Sequence, residues 1–298
     1  MSATLPLNTA ALPESRGPSD GAKEPLLAVD KLEMRFGDRL IQTDISFTVE
    51  RGSIFAIMGG SGCGKSTLLK HLVGLLPPAK GSVKYGGVDY WAADDEARRK
   101  LRAGFGMLFQ SAALWTSMTL LENVCMPLEQ HTELDLQGRI ARAREVLDWV
   151  ELADFADFYP SAISGGMKKR AGLARAIAAE PPLLLLDEPS AGLDPISSRR
   201  LDDLVLDLRK RTGAAVVFVS HELPSLFAIA DDGIFLDADS KRPIGHGSPR
   251  DLRETAKHPT VYAFLRREEV RASEPTNAAP VASAAPPAPT TTQPGPAR

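Results

Sequence analysis

The chain predicts an α/β fold whose core sheet is mainly parallel and covered on both faces. Three observations lead there. Four short apolar runs, Ile54–Met58, Met107–Phe109, Leu183–Leu186 and Ala214–Val219, are continuous, as strands buried on both faces are. Helical stretches alternate with them. Each run also ends at a polar feature of catalytic type: a glycine-rich loop, Gln110, Asp187-Glu188, and Ser220-His221. In open α/β sheets ligands bind beyond the carboxyl ends of the strands, so four such endings can converge on one site.

Taken in order, residues 1–25 are rich in Pro, Ala, Thr and Ser, as are residues 268–298. Such segments hold too few large apolar groups to offset the entropy of ordering, so both are expected to be disordered. The folded part then runs over residues 26–267. Leu26–Val49 alternates apolar and polar residues and predicts an antiparallel flank. Ile54–Met58 leads into the glycine loop and a helix over Lys65–Leu76. Further helices are expected at Leu136–Val150, Gly166–Ala179, Ile196–Arg211 and Thr260–Arg267. There is no internal repeat.

Composition narrows the function. The chain has 298 residues, 43% hydrophobic and 24% charged, values typical of a globular protein with a proper core. A net charge of −3 gives no electrostatic reason to expect a nucleic-acid partner. No stretch approaches the ~18 apolar residues that span a bilayer. The N-terminal stretch lacks a basic region followed by a compact apolar one, so a signal peptide is not expected. Two cysteines, Cys63 and Cys125, make no disulfide framework and suit reduced cytosol. A cytoplasmic protein is expected, with any membrane role coming through a partner.

The first chemical motif is Gly59-Gly60-Ser61-Gly62-Cys63-Gly64-Lys65-Ser66, followed by Thr67. It matches G-x-x-x-x-G-K-[ST], the P-loop, whose backbone N–H groups cradle phosphates while the lysine adds a point charge. Lys65 would contact the β- and γ-phosphates of ATP, and Ser66 would ligate Mg²⁺. Asp187, at the end of an apolar run, would complete the protein's share of the Mg²⁺ shell. Glu188 would polarise the attacking water. Gln110 can reach Mg²⁺ or that water without adding charge, and His221 can donate to the γ-phosphate. His71, His131, His246 and His258 show no ligand spacing. Cys63, inside the loop, reads as a small apolar filler rather than a redox switch.

A second element, Ser164-Gly165-Gly166-Met167, opens another predicted helix about a hundred residues later. It again presents bare backbone donors at a positive helix end. One nucleotide needs one cradle. Two on one chain suggest that two chains share each nucleotide.

These pieces, in this order and followed by Ser190-Ala191-Gly192-Leu193-Asp194, resemble the nucleotide-binding subunit of an ABC transporter over residues 26–267. The resemblance implies a P-loop NTPase cassette with an antiparallel β flank and a helical signature subdomain over about 111–178. It implies a homodimer in which Ser164, Gly165 and Gly166 of one chain cap ATP held by the other, with Asp194 crossing the interface. Phe36 takes the place of the adenine-stacking aromatic, where tyrosine is commoner. Ile163 and Met167 replace the usual Leu and Gln of the signature, and neither change removes a phosphate donor.

A finer likeness lies in Leu108–Trp115, Glu122–Glu129 with His131-Thr132, Gly165–Arg170 and Asp194-Pro195-Ile196. These resemble the ATPases of MCE-type lipid transporters, the phospholipid-asymmetry and toluene-tolerance systems. The implied partners are an integral-membrane permease, a periplasmic MCE-domain lipid-binding protein and a small STAS-domain subunit, with the ATPase peripheral at the cytoplasmic face of the inner membrane. Ser111–Pro127 would form the groove for the permease's coupling helix, with Trp115, Met118, Leu120 and Leu121 as candidate contacts, or else as core of the helical subdomain. Two other readings stand beside this one. An amino-acid or ion importer ATPase usually carries a Gln-rich signature flank, where this chain has Met-Lys-Lys-Arg. A chromosome-organising or repair ATPase would separate the two motifs by long coiled coils, and no sustained heptads occur between them.

Overall fold

The alternating apolar residues of the flank become two long paired strands. In the computed structural model, which describes residues 24–267, β1 (Leu27–Phe36) and β2 (Arg39–Val49) run antiparallel. The segments expected to be disordered lie outside the described residues, except for Glu24 and Pro25. Next come β3 (Ile54–Gly59), α1 (Lys65–Leu72), β4 (Lys80–Tyr85) and β5 (Val88–Asp89). The middle of the chain holds α2 (Asp95–Ala103), β6 (Phe105–Leu108), α3 (Leu120–His131), α4 (Leu136–Trp149), α5 (Gly165–Ile177) and β7 (Leu183–Asp187). The last third adds α6 (Pro195–Thr212), β8 (Ala215–Val219), α7 (Leu223–Ile229), β9 (Asp232–Leu236), β10 (Pro243–His246), α8 (Pro249–Thr255) and α9 (Pro259–Arg266).

Two sheets result. The flank is a four-stranded antiparallel sheet in the order β2-β1-β4-β5, and the core sheet has the order β10-β9-β3-β8-β7-β6. All core pairings are parallel except that of β10 with β9. The mainly parallel α/β fold is therefore as expected, and so is the antiparallel flank.

The core strands divide two apolar layers between their faces. Ala56, Met58, Leu184, Leu186, Val216 and Phe218 face a layer shared with α3, α4, α5 and α6. Phe55, Ile57, Leu183, Leu185, Val217 and Val219 face the antiparallel sheet and α1. Because side chains alternate along a strand, continuous apolar runs are what two covered faces require. Apolar burial, worth about 25 cal/mol per Å², stabilises these strands from both faces.

Some boundaries move. Helix α1 stops at Leu72 rather than Leu76, because Gly74 adopts a φ of 73° and Leu75 turns back to the Lys70 carbonyl. The run Met107–Phe109 pairs two residues earlier, as β6, leaving Gln110 in the loop beyond it. Helix α3 falls within the expected helical subdomain but was not among the helices expected individually, and it carries Pro127 in its interior. A reciprocal cap between Thr119 and Glu122 starts it, and its buried Leu120, Val124 and Leu128 pack it into the core. Leu120 is fully buried, which removes it as a contact for a coupling helix.

Candidate active site

The loop after β3 is shaped by two glycines. Gly59 has φ 141° and a Cβ there would run into the Leu236 carbonyl and the Cys63 sulfur. Gly64 has φ 102° and a Cβ would stand 2.9 Å from the Ile41 side chain. Left-handed backbone and tight neighbours together demand glycine at both. Helix α1 begins at Lys65 with no side-chain cap and no acidic residue in its first turn. Its positive end therefore suits an anion. Gln42, buried on β2, donates through Nε2 to the carbonyls of Cys63 (2.8 Å) and Asp237 (2.6 Å), clamping the loop to the end of β9. Cys63 is 1% exposed, and burial pushes its thiol pKa up, as befits a filler.

A cavity of about 770 Å³ opens over this loop. On its wall the structure brings together Phe36, Gly59, Gly60, Ser61, Gly62, Gly64, Lys65, Ser66, Thr67, Gln110, Glu188 and His221. Arg39, Ile41 and, from α9, Phe264 also line it and were not anticipated. Lys65 Nζ donates to the carbonyls of Gly59 and Gly60, each at 2.9 Å. Ser66 Oγ donates to Asp187 Oδ1 at 3.0 Å, so loop and strand end meet although 121 residues separate them. Among the described residues no group of three or more His, Cys, Asp or Glu side chains could hold a metal. One hydroxyl beside one carboxylate is the sparse protein donor set that Mg²⁺ accepts, and so Ser66 and Asp187 fit it.

Glu188 is held under strain. Its φ is 49°, rare for a residue with a side chain, and its N–H donates to the Val219 carbonyl at 3.0 Å. The carboxyl is buried. His221 Nδ1 comes within 2.7 Å of Oε2 but off the line of a hydrogen bond, which leaves that oxygen without a donor. An unpartnered buried carboxylate oxygen is costly, so a donor such as a water fits there.

The second glycine motif sits elsewhere. Ser164 caps α5, accepting from the Met167 N–H at 3.3 Å. Ser164, Gly166 and Met167 line a separate cavity of about 80 Å³ with Leu193, Ser197 and Arg200. Gly165 and Asp194 line neither cavity. Asp194 caps α6, accepting from the Ile196 and Ser197 N–H groups at 3.0 Å and from Ser197 Oγ at 2.5 Å. The Ser197 hydroxyl leads these contacts in holding its carboxyl below the usual range.

A third, open groove of about 400 Å³ runs between β6, α3 and α5. Trp115 lines it and is 56% exposed, beside Phe109, Met126 and Pro127. Met118 and Leu121 are partly buried and lie off its walls. Two polar residues that hydrogen-bond backbone carbonyls next to the site gave little sequence signal. Gln42 is one polar letter in an alternating strand, and Lys169 one of three basic residues after the glycines.

Residues 42–191 match the family described as ABC transporter. The chain is 41% identical over 239 residues to the intermembrane phospholipid transport system ATP-binding protein MlaF of Escherichia coli (strain K12), covering 80% of this chain and 88% of that protein. It is 39% identical over 217 residues to the methionine import ATP-binding protein MetN of Rhizobium johnstonii, covering 73% of this chain and 60% of that protein. Among solved structures, the dimeric post-hydrolysis state of the ATP-binding cassette MJ0796 bound to ADP and Pi superposes with a TM-score of 0.66. That match has 28% identity and covers 74% of this chain and 97% of the other. The transporter match sets aside a chromosome-organising or repair ATPase. With just over half its length in the family match and four-fifths aligned to one relative, the chain belongs to the ABC transporter family, as one of its ATP-hydrolysing, ATP-binding subunits.

Proposed function

We propose that the chain powers lipid transport, of phospholipid first, as the ATPase of an MCE-type transporter. The observation that carries this is the 41% identity to MlaF along 88% of that protein. The likeness to MetN keeps an amino-acid importer as the second reading, although this chain spans only 60% of that protein. The chain would work as a homodimer beneath an integral-membrane permease, with an MCE-domain lipid-binding protein and a STAS-domain subunit. No helix among the described residues is long and apolar enough to cross a membrane. Attachment at the cytoplasmic face of the inner membrane would therefore run through the permease, whose coupling helix would enter the groove at Trp115. The cassette would comprise residues 26–267, with its helical signature subdomain over about 111–178.

In this reading ATP occupies the large cavity, its phosphates on the Gly59–Ser66 loop, its charge met by Lys65 and its base against Phe36. Ser66 and Asp187 would hold Mg²⁺, whose chemistry there would be neutralisation of phosphate charge. Gln110 and Glu188 orient the attacking water, Glu188 accepts its proton, and His221 donates to the γ-phosphate. Ser164, Gly165 and Gly166 would reach the γ-phosphate of the nucleotide on the second chain, near which Asp194 crosses. Their separation from the loop cavity on one chain supports that arrangement. ATP then favours the closed dimer by its differential affinity for it, and loss of the γ-phosphate reopens it.

The test is affinity purification of tagged Glu188→Gln protein from gently solubilised native membranes, with co-purifying chains identified by mass spectrometry. A permease arriving with an MCE-domain protein is expected. An amino-acid or ion permease would overturn the cargo.

A further inference from the structure

Among the described residues only two lysines are buried, Lys65 in the phosphate loop and Lys169 on α5, the latter 6% exposed. A buried ammonium is costly unless it is well engaged. Lys169 is engaged in an unusual way, since Nζ makes no ion pair within reach of a carboxylate. It donates instead to two backbone carbonyls, that of Gln110 and, at 3.0 Å, that of Glu188. Burial lowers its pKa, and the nearby carboxylates of Asp187 and Glu188 oppose that shift.

Those two carbonyls belong to the two residues read as orienting the water. Glu188 needs the help, because its φ of 49° is a conformation the surroundings must impose. Val219 fixes the N–H side of that residue and Lys169 its carbonyl side. The loop after Gln110 is strained too, with φ values of 62° at Ala112 and 45° at Ala113. The same helix grips it a second time, as Arg175 donates to the carbonyls of Ala112 (2.9 Å) and Ala113 (2.6 Å). Helix α5 thus carries the Ser164-Gly165-Gly166 motif at one end and holds the hydrolytic loops along its side. Ser164 and Lys169 are five residues apart, about 7.5 Å along the helix axis.

We infer that Lys169 is a positioning residue for hydrolysis: it fixes the backbones of Gln110 and Glu188 together, so that engagement of the α5 glycine motif by a second chain's nucleotide aligns the hydrolytic pair. This rests on the reading of Glu188 and Gln110 given above. Lys169 lines neither the loop cavity nor the cavity beside the glycine motif. It acts on the rate through the placement of those that do, and a misplacement of about 1 Å costs roughly 100-fold.

The experiment measures kcat and KM for ATP, the ATP Kd and the thermal midpoint of the full chain. Lys169→Met keeps the stem and removes the donors, while Lys169→Gln keeps two amide hydrogens on a shorter stem. The expected result is a kcat lowered roughly 10- to 100-fold in Lys169→Met with Kd within about twofold, and a smaller loss in Lys169→Gln. A kcat within about threefold of wild type in Lys169→Met, or a Kd that weakens in step with kcat, overturns the inference. If Lys169→Met does not fold, Lys169→Gln decides: lowered kcat at unchanged Kd and midpoint supports it, and wild-type kcat overturns it. Glu188→Gln is run alongside. Full turnover there removes the reading underneath, whereas a dead Glu188→Gln beside a fully active Lys169→Met removes Lys169 alone.

Discussion

Glu188 and His221 meet across the ends of two neighbouring parallel strands, with His221 Nδ1 2.7 Å from Glu188 Oε2. The pairing of Asp187 with Val219 in the β7–β8 ladder sets that meeting, because each side chain follows its strand by one or two residues. Sheet register is thereby converted into site geometry, with both side chains on the wall of the loop cavity.

Glu188→Gln is expected to keep ATP binding and lower turnover roughly 100-fold or more, the scale of a lost general base. Steady-state hydrolysis with size-exclusion chromatography in ATP checks this. Accumulation of an ATP-loaded dimer is the accompanying sign, and wild-type turnover would remove Glu188 from its role.

Lys65→Ala should weaken ATP binding roughly 10- to 100-fold, the scale of lost charge-assisted hydrogen bonds. It also strips the carbonyls of Gly59 and Gly60 of the donor they now share. Titration with a fluorescent ATP analogue reads the change, and unchanged affinity counts against the phosphate cradle.

Much of this site was legible in the sequence, and for a physical reason. Gly59, Asp187 and His221 lie within two residues of the ends of continuous apolar runs, with Lys65 six residues after Gly59, and a run buried on both faces has few other ways to fold. Where a residue's job depends on a distant backbone, the signal fades. Gln42 reaches the carbonyls of Cys63 and Asp237, and Lys169 those of Gln110 and Glu188, contacts no local pattern encodes. Helix α3, not expected individually, carries Pro127 in its interior, where it lines the groove. Leu120, read as either a contact or core, is fully buried just after the Thr119 cap, a placement that depends on what the helix packs against.

Trp115→Glu should leave hydrolysis by the isolated chain within about twofold, since Trp115 lies off the ATP cavity. Its association with the permease should fall by about 2 kcal/mol or more, as for other exposed aromatic anchors. Co-purification with the membrane subunits reads this, and unchanged recovery would move the docking site elsewhere.

Asp202 supplies a pH dependence. It is 4% exposed, accepts from Ser225 Oγ at 2.8 Å, and burial pushes its pKa from 3.8 up to about 6. The folded state therefore binds the proton more tightly than the unfolded chain. The stabilisation is full below about pH 4 and is lost as pH rises through about 6. Compared with Asp202→Asn, wild type should lose about 1 kcal/mol of stability between about pH 5 and about pH 7.5. Urea unfolding at the two pH values checks it, and a constant difference would contradict it.

The central claim is that two chains share each nucleotide. Ser164→Arg leaves the loop cavity intact, so the variant should bind ATP as a monomer yet not turn it over. Lys65→Ala has the opposite defect. The direct measurement is hydrolysis by the two variants mixed. Each mixed dimer would hold one site with an intact loop and an intact facing glycine motif, so activity should reappear, at up to roughly a quarter of wild type for random pairing. If subunits exchange and no activity returns, both motifs act within one chain and the shared-nucleotide account is wrong.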